Sequence, residues 1–376
     1  MTLATVHPSL ANLMADNPDR PFHDLTVTEW ETIMDEAAVH GLTFWLQGFS
    51  ELPPPLQKRV HDECLGITAR NLALAAELRT ILRAFRDQGI LCAPLRGLAL
   101  AERLYGTVPP RPMGDIDLLV RKEDLPRVQA LFRTLGFNEM DRRPGFASAF
   151  SYTLKFFAER SFMIVVEPHW TIAYPPFVDR LDMEAVWRRC VPASVVGGKT
   201  LSLGREDLLI HLCLHLTHRD DAPFLWVYEL DRYLRQESHT LNWDLVLSQC
   251  REVGLGELVR RALDEAATQL GAPVPADVLY ALGGREHGRR RDLAQRLVEI
   301  SSVDGVESLA YFFALKGLGV KFRYARGLLF PEPRFMMLQY GLTHRRQLAA
   351  SYIRRFSSLS WHATKGLVRL FRGAAH

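Results

Sequence analysis

The sequence predicts an α+β protein in which a small mixed β-sheet core sits between N-terminal and C-terminal helical regions. Three observations carry that expectation. Apolar residues recur at helical spacing over 26–89 and again from about 205 onward. Between them the texture changes to short apolar runs and shorter helices punctuated by glycine, the pattern of buried strands. The 376 residues are 48% hydrophobic and 24% charged with a net charge of only +3. That balance excludes a disordered or fibrous chain, and the length asks for two or three packed units.

The elements follow in order. "TVTEWETIMDEAAVHG" (26–41) offers Thr26 or Thr28 as a helix cap and ends on Gly41. After Pro53-Pro54-Pro55, residues 56–89 keep apolar side chains at helical spacing for about nine turns and end on Gly89. "ILCAPL" (90–95) reads as a strand, "GLALAERLYG" (97–106) as a helix and "IDLLV" (116–120) as a second strand. "KEDLPRVQALFRTLG" (122–136) is a helix with acids in its first turn. "SAFSYTLKFFA" (148–158) and "FMIVVEPHW" (162–170) are expected as two strands joined by a hairpin at Glu159-Arg160-Ser161. Helices resume in "REDLLIHLCLHLTH", "LWVYELDRYLRQ" and "LGELVRRALDEAATQLG". The expected division is 1–88 helical, 89–190 α/β core, 191–300 helical and 301–376 basic and helical.

The stretch "RPMGDIDLLV" (111–120) carries the chemistry. Residues two apart on a strand point to the same face, about 6.6 Å apart along it. Asp115 and Asp117 therefore converge on one spot, which is unfavourable unless a cation holds them. A plainer arrangement stays open: one aspartate caps the turn after Gly114 and the other pairs with Arg111. Upstream, Arg96 and Gly97 form a strand–glycine–helix turn, whose backbone N–H groups and helix N-terminus suit a phosphate. Downstream, Glu167 places a third carboxylate at a strand end. Three carboxylates behind a glycine turn match the needs of two-metal chemistry, with Mg²⁺ taking carboxylate and phosphate oxygens.

The order "LRGLALAERLY…RPMGDIDLLV…LGF…VVEPHW…LLIHLCLHLTH…LWVYELDRYL…NWDLV" resembles the bacterial nucleotidyltransferase family labelled NTP_transf_5, within the DNA-polymerase-β-like superfamily. The resemblance covers roughly 26–280. It implies a nucleotidyltransferase core that moves a nucleoside monophosphate from an NTP to an acceptor hydroxyl and releases pyrophosphate. Residue by residue, it makes Asp115, Asp117 and Glu167 the metal-binding catalytic acids, with two Mg²⁺ ions, or Mn²⁺ in their place. Arg96 and Gly97 become the phosphate-binding pair. Leu98 stands where the wider superfamily has Gly or Ser, Arg96 replaces the family's usual lysine, and Glu167 replaces its usual aspartate. The rival outcome is a degenerate nucleotidyltransferase that binds a nucleotide or macromolecule without turnover.

Other residues weigh less. Arg111 and His169 are expected beside the acids, His169 either orienting a ligand or packing against Trp170. His211 and His215 are i,i+4 on one helix, but their apolar surroundings favour hydrogen bonding over metal binding, and Asp231 is a candidate partner. No G-x-S-x-G elbow occurs. The five scattered cysteines read as buried thiols of a reducing compartment. With no secretory pattern at the N-terminus and no long apolar run, a cytoplasmic protein is expected. Residues 301–376 hold 12 Lys or Arg against 3 Asp or Glu, which calls for an anionic partner or an exposed basic face. Their interleaved aromatics and leucines favour packing or peripheral membrane contact over nucleic acid. The acceptor is expected to be a small molecule, peptide or glycan precursor rather than nucleic acid.

Overall fold

The structure, a computed structural model, describes residues 25–140, 143, 145–218, 221–283, 304–342 and 344–373, together with Leu10 and Met14. Thr26 caps helix α1 (Val27–Val39) in a capping box, its hydroxyl accepting from Glu29 N while the Glu29 carboxylate accepts from Thr26 N. Gly41 follows at φ +73°, and a Cβ there would press on Leu225 at 3.2 Å. Helix α2 (Pro54–Asp87) starts on proline and runs 34 residues, about 50 Å.

A five-stranded sheet follows in the order β1-β2-β5-β4-β3. Its members are β1 (Cys92–Pro94), β2 (Ile116–Val120), β3 (Asn138–Glu139), β4 (Phe156–Glu159) and β5 (Met163–His169). Between them lie α3 (Leu98–Tyr105), α4 (Leu125–Thr134) and α5 (Phe146–Phe150). Only β2 and β5 pair in parallel; the other three pairings are antiparallel.

Every residue of β2 is buried, and its period of two divides them between two cores. Ile116, Leu118 and Val120 join Leu78, Ile81, Phe85 and Phe132 beneath α2 and α4. Leu119 points the other way, into the larger core shared with the later helices. Asp117 lies on Leu119's side, as do Glu167 and His169 on β5 by register.

Two expectations need correction. Residues 148–158 are not one strand: Phe146–Phe150 is helical, Thr153 makes a lone bridge to His169, and β4 begins at Phe156. Phe146 and Phe150, one helical turn apart, both pack on Tyr324, which a strand would not allow. A hairpin also went unpredicted, β6 (Val191–Val195) with β7 (Gly198–Ser202), after α6 (Met183–Arg189). Val196 and Gly197 turn it with φ of 45° and 78°, the two positive values of a type I′ turn. The Gly197-Gly198 pair was the available signal. Thr200 ties β7 to β1 through the Cys92 carbonyl at 2.8 Å.

The second half is helical, as expected: α7 (Arg205–Thr217), α8 (Phe224–Glu237), α9 (Trp243–Val253), α10 (Gly256–Leu270) and α11 (Ala276–Gly283), then α12 (Asp304–Ala314), α13 (Leu318–Leu329), α14 (Pro333–Gln339) and α15 (Leu348–Gly373). Helix α7 is buried nearly all round, which puts His211 out of water and leaves His215 half-buried. The cysteines are free, and all but the half-buried Cys190 are buried. No helix among the described residues is long and apolar enough to cross a membrane.

Candidate active site

Register alone brings the first two acids together. Asp117 on β2 is the Cα partner of Glu167 on β5, and Leu119 is the partner of His169. Parallel neighbours in register present their side chains on one face, about 4.8 Å apart. His169 follows Glu167 by two residues and so shares that face, where its Nε2 meets Asp117 Oδ1 at 3.0 Å. Asp117, Glu167 and His169 each offer a ligand atom within 4.8 Å of the others, and all three are buried. Lys155 reaches the same cluster from outside, its Nζ 2.6 Å from Glu167 Oε1.

The β1–β2 pairing delivers Arg96. Leu95 N donates to Asp117 O at 3.0 Å, so the chain leaves β1 directly beside the acid. Arg96 Nη2 then pairs with Asp117 Oδ2 at 2.5 Å, and its Nη1 contacts His215 Nε2. His215 is tilted against the Trp226 ring with centroids 3.7 Å apart. Gly97 caps α3 at φ 55°, ψ −115°, a conformation that a side chain resists. Leu98 is buried in the core beneath α2, so the residue that departs from the superfamily pattern faces away from the site.

Asp115 precedes β2 on a loop fixed by α2. Arg70 Nε donates to Met113 O at 3.1 Å, and Asn71 Nδ2 donates to the Pro109 and Arg111 carbonyls. The two aspartates ionise very differently. Burial pushes Asp115 up to about 6, and the Asp117 charge adds to the effect. Burial opposes ionisation of Asp117 too, yet the Arg96 charge and the His169 hydrogen bond outweigh it and hold that carboxyl well below the usual range. Burial, then the Arg96 charge, keeps His215 well below an ordinary imidazole and lowers His211 to about 3.

A cavity of about 470 Å³ opens on this face, lined among others by Arg96, Gly97, Asp115 and Asp117. Its walls come from outside the sheet: Ala38 and Val39 of α1, Arg70 of α2, and Leu225 and Trp226 of α8. Such a volume suits a nucleotide-sized ligand. Arg111 borders the cavity, but its charge is committed to Glu229 through contacts of 2.6 and 3.0 Å, with both side chains buried. Pairing of Arg111 with an aspartate is thereby excluded.

Among the described residues, Asp117, Glu167 and His169 form the metal-spaced group with Arg96 on Asp117, while Gly97 and Asp115 line the adjoining cavity and Asp115 is not part of that group. His211 and His215 do not form a metal pair: His211 Nδ1 donates to Ile172 O at 3.0 Å while His215 holds Arg96. Asp231 pairs with Arg235 at 2.9 Å. Sequence reasoning missed Arg70, Lys155, Trp226 and Glu229. All but Lys155 come from helices flanking the sheet, and Lys155 carried no motif.

Residues 26–271 match the model of a family described as uncharacterised nucleotidyltransferase. The chain belongs to this family. The match spans both the sheet and the helices α1, α2, α7 and α8 that wall the cavity. Comparison with curated proteins and with solved structures gave no match. The fold agrees with a nucleotidyltransferase core flanked by helices.

Proposed function

We propose that this nucleotidyltransferase transfers a nucleoside monophosphate from an NTP to an acceptor hydroxyl, releases pyrophosphate and depends on Mg²⁺, with Mn²⁺ as a substitute. The observation that carries the reading is the in-register pairing of Glu167 with Asp117, which itself lines a cavity together with Arg96, Gly97 and Asp115. The donor set fits a divalent cation, because two carboxylates and an imidazole lie within 4.8 Å of one another around a buried point. Two ions held by Asp115, Asp117 and Glu167, with His169 alongside, would neutralise the phosphate oxygens and activate the attacking hydroxyl.

The chain's own groups do the rest. Arg96, whose guanidinium rests against Asp117, would turn to the β- and γ-phosphates of the NTP. His215 steers that movement, since a neutral imidazole accepts from Arg96 without competing for the phosphates. The N–H groups around Gly97 complete the phosphate cradle at the start of α3. Glu167 takes the acceptor's proton. Arg111 is held by Glu229 and shapes the cavity wall. Positioning and fixed charge supply the rate.

The acceptor is a small molecule, peptide or glycan precursor in this reading, with residues 301–376 free to make peripheral membrane contact. The reaction belongs in the cytoplasm, where NTPs are abundant. The parts would divide as 1–88, 89–190, 191–300 and 301–376, the second carrying the chemistry.

One observation favours the rival reading, binding without turnover. Asp117 and Glu167 already have cations from the chain, Arg96 and Lys155. Pyrophosphate release from each NTP with Mg²⁺ and a lysate as acceptor source separates the two. Release that Asp117→Asn eliminates supports transfer; tight NTP binding with no release by the wild type establishes the rival.

A further inference from the structure

Helices α13 and α15 turn large apolar side chains outward. Leu318 and Phe322 on α13 are 86% and 69% exposed, and Ile353, Phe356 and Trp361 on α15 are 68%, 52% and 61% exposed. Spacings of four, then of three and eight, keep each set on one half of its helix. The inner faces are already satisfied. Tyr324 of α13 is buried against Phe146 and Phe150, and a Cβ on Gly327 would overlap the Phe146 ring. On α15, Ser351 is buried, Tyr352 donates to Pro331 O and Arg355 donates to Leu328 O.

A helix packed on its own protein normally turns its apolar stripe inward. Here the stripe faces out and exposed cations border it, Arg323 and Arg326 on α13 and Arg345, Arg346 and Arg354 around the start of α15. We propose that this face docks on an anionic lipid surface, the apolar side chains entering the headgroup boundary and the cations meeting lipid phosphates. A nucleic acid would use the cations and leave Leu318 and Ile353 in water. A second copy would set this positive surface against itself.

The test is co-sedimentation of the full chain with vesicles of phosphatidylcholine alone and of phosphatidylcholine mixed with phosphatidylglycerol. Binding is expected to the mixed vesicles and to weaken with salt. The double variant Phe322→Ser, Trp361→Ser should lower it roughly tenfold or more. Arg323→Glu with Arg326→Glu and Arg346→Glu should abolish the preference for anionic lipid. Both sets lie on the surface, so melting temperatures should stay near wild type. Should the serine variant fail to fold, the glutamate variant carries the test. Equal binding to both vesicle types, binding to neither, or unchanged binding by the folded variants overturns the proposal. Stronger retention on RNA at the same salt, or a stable dimer that excludes vesicles, does so as well.

Discussion

Asp117 and Glu167 stand opposite each other across the parallel pairing of β2 and β5, and each already holds a cation of the chain, Arg96 and Lys155 respectively. Asp117→Asn and Glu167→Gln should each lower kcat by about a hundredfold or more, roughly 2.7 kcal/mol of barrier. Glu167→Gln should leave NTP affinity nearly unchanged. Steady-state pyrophosphate release is the measurement, and a variant keeping more than about a tenth of wild-type turnover removes its residue from the chemistry.

The aspartates should part company in stability. Asp117→Asn leaves the Arg96 charge without its carboxylate and should cost about 3 kcal/mol. Asp115 has its folded pKa raised to about 6, so its contribution is fully present at low pH and is lost as pH rises through that value. Asp115→Asn removes the loss and should raise the melting temperature at pH 7.5 by roughly 2–4 °C. Calorimetric scans at pH 4.5 and 7.5 read both effects; a lower melting temperature for Asp115→Asn at pH 7.5 would contradict the placement of that carboxyl.

His211 and His215 set an acid limit. Both are held neutral in the fold with pKa values below the ordinary 6.5, so the unfolded chain binds protons that the folded chain refuses. Stability is intact above pH 6.5 and falls below it, by about 1.4 kcal/mol per histidine per pH unit. Urea titrations from pH 7 to 4 should show this slope, and His215→Gln should roughly halve it. An unchanged slope in that variant would assign the acid limit elsewhere.

Lys155 is half exposed, yet it ties up a buried acid. Lys155→Ala should free Glu167 and tighten Mn²⁺ binding about threefold, the modest size expected of a partly solvated ion pair. Calorimetric titration with Mn²⁺ reads the change directly, and weaker binding would mean that Lys155 supports the cluster instead of screening it.

The buried Arg111–Glu229 pair joins the loop before β2 to α8. Glu229→Ala should cost about 3–5 kcal/mol by leaving a buried guanidinium alone. Replacing both residues with leucine should recover much of that. Chemical denaturation of the three proteins checks it; a double variant no more stable than Glu229→Ala would show that the pair's geometry, not its burial, carries the loss.

Local signals in the chain were enough for the strand at 116–120, for a hairpin turn at Glu159-Arg160-Ser161 and for a helix cap at Thr26 or Thr28, of which the fold uses Thr26. They also singled out Arg96, Gly97, Asp115, Asp117 and Glu167, of which the fold draws Arg96, Asp117 and Glu167 together. Each rests on spacing within a few residues: period two for strands, period 3.6 for helices, glycine where φ turns positive. The tertiary structure decided what those residues meet. Ala147-Ser148-Ala149 became helical because Tyr324, far along the chain, offers a partner for both flanking phenylalanines. Arg111 went to Glu229 across 118 residues, and Arg96 met His215 across 119. Those pairings depend on how α7 and α8 lie over the sheet, a matter of packing shape and desolvation that no short-range pattern encodes. The outward apolar face of α15 was decided the same way, since periodicity shows that a helix has an apolar stripe and only packing shows which way it points.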